Sequence, residues 1–164
     1  MNPIYRLIST ENKKLVSEFH NKFEVQKMPN PTKNDLLLRY KYFAEEQKEF
    51  GDAFILNDTV EMIDAIIDMC YVYLGTCDLI EVSSRGFDLM LTGIVSSFDI
   101  FLHYLEPSEN RTHDHINRLL QESLEEVHRS NMTKEQCPDG GKIRKGANYS
   151  KPNLKPILDK YLSK

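Results

Sequence analysis

Two short acidic clusters are the residues of this chain whose type and spacing could do chemistry. Glu45-Glu46-Gln47-Lys48-Glu49 precedes Glu61-Met62-Ile63-Asp64, and Asp68 follows one helical turn later. On a helix, residues three or four apart share a face. Glu46 with Glu49, Glu61 with Asp64, and Asp64 with Asp68 are therefore each a carboxylate pair. The second cluster lies in a mostly apolar stretch, where a lone carboxylate carries a large desolvation cost unless it is paired or bound to a cation. No Lys or Arg occurs between Gly51 and Ile80 to supply that partner. Hard divalent cations such as Mg²⁺ or Mn²⁺ prefer all-oxygen ligand sets and often bridge protein carboxylates to phosphates. The two acidic clusters together point to a metal–triphosphate site.

Simpler explanations account for parts of the pattern. Glu45 to Glu49 could form a solvated face with Lys41 and Lys48 as partners, and Asp58-x-x-Glu61 matches a capping box, which explains Glu61 but neither Asp64 nor Asp68. Glu125-x-x-His128 has the local spacing of a di-iron bundle, but that arrangement needs two such motifs and only one occurs. His113-Asp114-His115 reads as the start of a helix. From Lys142 to the end there are seven Lys or Arg against one acid, Asp159. That balance supports the alternative reading: a non-enzymatic helical interaction protein with a basic C-terminal arm for nucleic acid.

The elements that must hold these residues read as helices. Leu15, Val16, Phe19 and Phe23 have helical spacing within 12–24, before the proline-rich link Met28-Pro29-Asn30-Pro31. From Asp35 to about Leu56, Leu36, Leu37, Tyr40, Phe43, Phe50 and Phe54 form an amphipathic pattern, weakened at Gly51. Asn57-Asp58-Thr59 is a capping signal. The run to Leu74 places Val60, Ile63, Ile67, Cys70 and Leu74 on one face, with Ile66, Met69 and Tyr73 beside it, so this helix should be largely buried. Ser84 to Leu105 is nearly uncharged in its middle and reads as a central core helix. Ile116, Leu119, Leu120, Leu124 and Val127 stripe a fourth helix between Glu109 and Asn131. Lys134 to Lys151, rich in Gly, Lys and Pro, should be a loop, and Lys155 to Leu162 a short closing helix with Pro156 in its first turn. The expected fold is all-α: a single domain over 1–164, with a four-helix-bundle core at about 12–131 and an irregular basic tail at about 132–164.

Composition agrees. Hydrophobic residues at 40% and charged residues at 28% describe a globular chain, and a net charge of −4 argues against a surface dominated by nucleic-acid binding. Three cysteines without C-x-x-C spacing suggest neither a disulfide framework nor a zinc site. No leader or membrane span is legible, so a cytoplasmic protein is expected, in the host cytoplasm if the chain is phage-encoded.

Glu45-Glu46-x-x-Glu49 followed by Glu61-x-x-Asp64 resembles the metal-binding pattern of the MazG-like and dimeric dUTPase-like all-α pyrophosphohydrolases. Phe19-His20, Asp68-Met-Cys-Tyr-Val-Tyr-Leu-Gly75-Thr76, Val127-His-Arg-Ser-Asn131-Met-Thr-Lys134 and Gly141-Lys142-Ile-Arg-Lys145-Gly146-Ala-Asn-Tyr149 are similar to signatures of phage and bacterial members. Two departures stand out: only 11 residues separate Glu49 from Glu61, and Gln47-Lys48 replaces small or apolar residues. The resemblance implies hydrolysis of a (deoxy)nucleoside triphosphate to its monophosphate and pyrophosphate, controlling or sanitising the nucleotide pool. It implies Mg²⁺ or Mn²⁺, two or more per site, held by Glu46, Glu49, Glu61 and Asp64, with Glu45 and Glu46 as the catalytic carboxylates and Glu45 a ligand or the group orienting the attacking water. His20, Asp68, Asn131, Lys134, Lys142, Lys145 and Tyr149 are the implied substrate contacts, with Arg144 a further cation. A homodimer or homotetramer, with no membrane and no stable nucleic-acid partner, completes the expectation.

Overall fold

A computed structural model of the protein describes residues 2–80, 87–105, 112–137 and 143–162. Seven helices occupy them: α1 (Pro3–Leu7), α2 (Thr10–Lys22), α3 (Lys33–Leu56), α4 (Thr59–Leu79), α5 (Asp88–Tyr104), α6 (His113–Asn131) and α7 (Lys155–Leu162). The architecture is all-α, as expected, and none of the described helices is long and apolar enough to cross a membrane.

The α3–α4 hairpin carries both acidic clusters, and its ends are fixed by local chemistry. Thr32 caps α3 reciprocally with Asp35. Asn57 closes α3 in the left-handed conformation, with φ 56°, and the Asp58 carboxylate accepts from the backbone N–H groups of Val60 and Glu61 to start α4. Glu61 does not reciprocate as a capping box would require. Its carboxylate instead accepts from Lys151 Nζ at 2.8 Å. The two-residue turn sends α4 back along α3, which sets Glu46 and Glu49 beside Asp64 and Asp68. Gly51 causes no break in α3.

Helix α4 is the centre of the molecule and packs against α2, α3, α5 and α6. Met62, Ile63, Ile66, Ile67, Met69, Cys70 and Leu74 are buried along it. The expected α6 stripe is buried in full, and Leu158 of α7 seals one end. Other expectations need correction. The third long run is helical over Asp88–Tyr104 with Phe87 at the cap position, while 84–86, where the sequence suggested its start, lie outside the described residues. This helix, α5, is not central. Met90, Ile94, Phe98 and Phe101 are buried, but Leu89 is 67% exposed and Ile100 45%, since α5 lies against the outside of α4 and α3. Gly93 lets it approach closely: a Cβ there would meet the Phe43 ring at 2.9 Å. On α3, Phe43 and Phe50 face the core, but Leu36, Leu37, Tyr40 and Phe54 do not, because only one stripe of this helix meets α4. The tail is also less irregular than expected, since Glu135 and Arg144 exchange both backbone hydrogen bonds at 2.9 Å in an isolated antiparallel bridge. A short N-terminal helix, α1, was not legible from periodicity. Cys70, Cys77 and Cys137 are unpaired.

Candidate active site

Two adjoining pockets, of about 630 and 740 Å³, open between α2, α3, α4 and the segment after α6. The larger contains the acidic residues. Glu45, Glu46 and Glu49 of α3 face Glu61, Asp64 and Asp68 of α4, and Lys134, Arg144, Lys145, Tyr149 and Lys151 of the tail form the opposite wall. The smaller is more apolar, lined among others by Val16, Phe19, His20, Phe23, Met28, Arg39, Tyr71 and Leu79. Tyr42, Glu46, Asp68, Val72, Asn131, Lys134 and Ile143 border both, so the pockets are continuous.

The carboxylates are under-compensated. Burial, then the charge of Glu49, pushes the Glu46 carboxyl up to about 7, although Lys134 opposes the shift. Burial and Glu61 push Asp64 up to about 6, against Lys151. Asp68 is raised as well, by burial and by Asp64 and Glu46. Asp64 Oδ1 is buried without a hydrogen-bond partner, which is an expensive state for a carboxylate oxygen. Lys48, proposed as a partner for the first cluster, pairs instead with Asp52 at 2.5 Å. Among the described residues no three acidic, His or Cys side chains converge closely enough, as they stand, to enclose a cation. The donor set nonetheless suits one: every group is a carboxylate, the oxygens a hard divalent ion prefers, and one of them is buried and unsatisfied.

The cationic wall is held by the tail. Arg129 of α6 donates to Ser150 Oγ at 3.0 Å and to the Lys151 carbonyl at 3.1 Å, while Glu126 accepts from the Asn153 backbone at 2.7 Å. These bonds carry Tyr149 and Lys151 across to the start of α4. Lys145 Nζ lies 5.2 Å from the Tyr149 ring centroid. Burial holds the Lys134 ammonium below its ordinary value, although Asp68, Glu46 and Asp64 around it favour the charge. Lys142 lies outside the described residues. Of the basic groups counted as a free arm, Lys151, Lys155 and Lys160 are instead paired with Glu61, Asp159 and Glu122.

Residues expected at the site come together from distant parts of the chain. His20 is 5% exposed and lines the apolar pocket rather than the surface. Asn131, buried at the end of α6, is hydrogen-bonded to Tyr71, whose hydroxyl also lies 3.0 Å from His128 Nδ1. His128 in turn stands 3.4 Å from Glu18, so the Glu125-x-x-His128 motif serves packing between α6, α4 and α2. Sequence reasoning missed Arg39, Tyr42, Asp78 and Lys151. The first two had a signal: Arg39, Tyr42, Glu46 and Glu49 follow one another at three, four and three residues, a single polar stripe on α3.

Comparison with known proteins agrees with this geometry. Residues 16–87, which span most of α2 and all of α3 and α4, match the family model of phosphoribosyl-ATP pyrophosphohydrolase. That family is part of the MazG-like all-α nucleoside triphosphate pyrophosphohydrolases, and over these residues the chain is similar to it. The activity of that family is pyrophosphohydrolysis of a nucleotide. No curated protein and no solved structure matches the chain.

Proposed function

We propose that this chain hydrolyses a nucleoside triphosphate of the deoxy series to its monophosphate and pyrophosphate with the help of Mg²⁺ or Mn²⁺. The observation that carries the reading is the continuity of an apolar pocket with an acidic one whose far wall is cationic. A nucleoside has an apolar body and a polyphosphate has oxygens for metals and lysines, and the joined pockets offer those surfaces in that order. Glu46, Glu49, Glu61 and Asp64 would hold the cations, two or more per site. A bound divalent ion supplies charge neutralisation for the polyphosphate and lowers the pKa of a coordinated water. Glu45, exposed beside Glu46, would orient that water, and the two would form the catalytic pair. Asn131, fixed by Tyr71, hydrogen-bonds the sugar or base. Lys134, Lys145 with Tyr149 beside it, and Asp68 complete the substrate contacts, and Lys142, outside the described residues, is assigned to the same role.

The test is a hydrolysis panel of canonical and modified dNTPs with Mg²⁺ or Mn²⁺, with products separated as mono- or diphosphates. Monophosphate and pyrophosphate are expected. Diphosphate with inorganic phosphate, or no turnover of any member, would remove the reading. The family match favours one further candidate, phosphoribosyl-ATP, which belongs in the same panel. The protein works as a homodimer or homotetramer in a cytoplasmic compartment. Support for assembly comes from Ile55, Leu56 and Leu89, which are 77%, 76% and 67% exposed, a set of apolar side chains that water accommodates poorly. Sedimentation as a monomer at micromolar concentration would overturn the assembly.

A further inference from the structure

The apolar pocket contains a guanidinium with unspent donors. Arg39 reaches from α3 to α4, where Nε donates to Thr76 Oγ1 at 3.0 Å and Nη2 to the Val72 carbonyl at 3.0 Å. Thr76 Oγ1 itself donates to Val72 O at 2.7 Å, so these acceptors form a fixed pair. The two bonds occupy one edge of the planar group, and the Tyr42 ring lies 5.7 Å from its central carbon. An arginine has five N–H donors. Those of Nη1 and the second of Nη2, the outer end of the fork, have no acceptor among the described residues, and no carboxylate there pairs with the charge. Burial makes that position costly and lowers the guanidinium's pKa.

Beside it stands an acceptor. His20 Nδ1 lies 2.7 Å from Asp78 Oδ2, and Asp78 also accepts from Ser17 Oγ at 2.6 Å and Lys27 Nζ at 2.7 Å. With its carboxyl held down at about 2, as hydrogen bonds from His20, Lys27 and Ser17 outweigh burial, Asp78 can only accept. The imidazole proton therefore sits on Nδ1. Burial keeps the ring's pKa below its ordinary value despite Asp78, so Nε2 is a bare lone pair. Both groups adjoin one bare stretch of backbone: a Cβ at Gly75 would meet Arg39 Nη2 at 3.0 Å and His20 Cε1 at 3.4 Å.

We propose that Arg39 and His20 read the edge of the base, selecting nucleotides whose base presents a carbonyl oxygen next to a ring N–H, as uracil, thymine and guanine do. This rests on the nucleotide reading of the site. The end of the fork offers parallel N–H groups to one place, and a carbonyl oxygen has two lone pairs to accept them. The neighbouring ring N–H then donates to His20 Nε2. Cytosine and adenine can oppose this pair only in reverse, with a ring nitrogen to Arg39 and the amino group to His20. A ring nitrogen has one lone pair, so one guanidinium donor stays buried and unpaired.

The test is calorimetric binding of dUMP, dGMP, dCMP and dAMP to the full chain in EDTA, where metal chemistry plays no part. Wild type should bind dUMP or dGMP about tenfold or more tighter than dCMP and dAMP. Arg39→Met should erase that difference by weakening the keto nucleotides more than the amino ones. Arg39→Lys keeps the charge and loses the fork, so it should do the same, and it decides the matter if Arg39→Met does not fold. Equal affinity for all four, preference for the amino bases, binding of none, or a uniform loss in both variants would overturn the assignment. So would an Arg39 effect confined to a ligand with a second phosphate, such as phosphoribosyl-AMP, because the guanidinium would then be an anion site. Hydrolysis of dNTPs without base selectivity would remove this inference and leave the proposed activity intact; selectivity without hydrolysis would do the reverse.

Discussion

Helix α4 carries carboxylates at both ends of one polar stripe, and the two ends treat them in opposite ways. Near its start, Asp64 is pushed up to about 6 and its Oδ1 is buried without a partner. Near its end, Asp78 is held at about 2 by donors from α2 and from the link that follows it. Both are aspartates of a mostly apolar helix, so residue type does not separate them. The difference is what the rest of the chain brings. Asp78 is satisfied from within and acts on its neighbours by fixing His20. Asp64 and Asp68 face Glu46 and Glu49 with too few cations to offset burial and like charge, which raises their carboxyls.

The sharpest way to break this comparison is to neutralise one end. Asp64→Asn should abolish turnover and yet raise the melting temperature in EDTA, because it removes a buried, uncompensated charge while keeping the side chain's volume. Glu49→Ala should also abolish turnover with the helical circular dichroism unchanged. Near-wild-type activity in either variant would remove the metal assignment; a lower melting temperature for Asp64→Asn would show that the charge is compensated after all.

The cationic wall gives a graded effect. Lys134 is surrounded by carboxylates at the junction of the pockets, whereas Lys145 is exposed. Losing a charge-assisted contact of about 1.5–3 kcal/mol, Lys134→Ala should lower kcat/KM about ten- to a hundredfold, without weakening Mn²⁺ binding to the nucleotide-free protein. Lys145→Ala should lower kcat/KM by less. Equal kinetics for both variants and wild type would take the tail out of the site.

At the satisfied end the readout is stability. Asp78→Ala strips His20 of its acceptor and takes the carboxylate from Lys27 and Ser17, which keep only backbone carbonyls, with an expected cost on the order of 1.5–3 kcal/mol, measured by urea denaturation with and without EDTA. A neutral result would mean that water replaces the carboxylate at no cost.

The smallest effect is on pH dependence. Glu46 and Asp64 have folded values of about 7 and about 6, above their ordinary 4.5 and 3.8. Between those limits the folded chain holds more protons than the unfolded one, so metal-free stability should fall as pH rises through them. Asp78 works in the other direction: its contribution is present above 3.8 and lost as pH falls through about 2. The melting temperature in EDTA should therefore be higher at pH 5.5 than at pH 8, and saturating Mn²⁺ should cancel or reverse the trend. A rise from pH 5.5 to 8 in EDTA would contradict the under-compensated cluster.

Much of the fold was legible because it rests on periodicity and punctuation. The α4 and α6 stripes, the Asp58 cap and the bounds of α7 follow from short-range rules that one helix obeys alone. The carboxylates of the site were legible for the same reason, since three- and four-residue spacing on a helix is local geometry. Leu36, Leu37, Tyr40 and Phe54 misled, because hydrophobicity says that a face avoids water but not which surface covers it, and the described chain leaves them 40%, 48%, 42% and 41% exposed.

What sequence by itself determined, then, is the set of helices apart from α1 and the faces on which their acids lie. Tertiary structure decided which acids are compensated. Lys151, 90 positions after Glu61, reaches it through the Arg129–Glu126 anchoring of the tail, and Asp78 finds His20 58 positions earlier. Arg39 became part of a pocket wall only when α4 presented Val72 and Thr76 to one edge of its guanidinium. Electrostatic and hydrogen-bond energies depend on distance in space and on exclusion of water, and neither is a property of position along a chain.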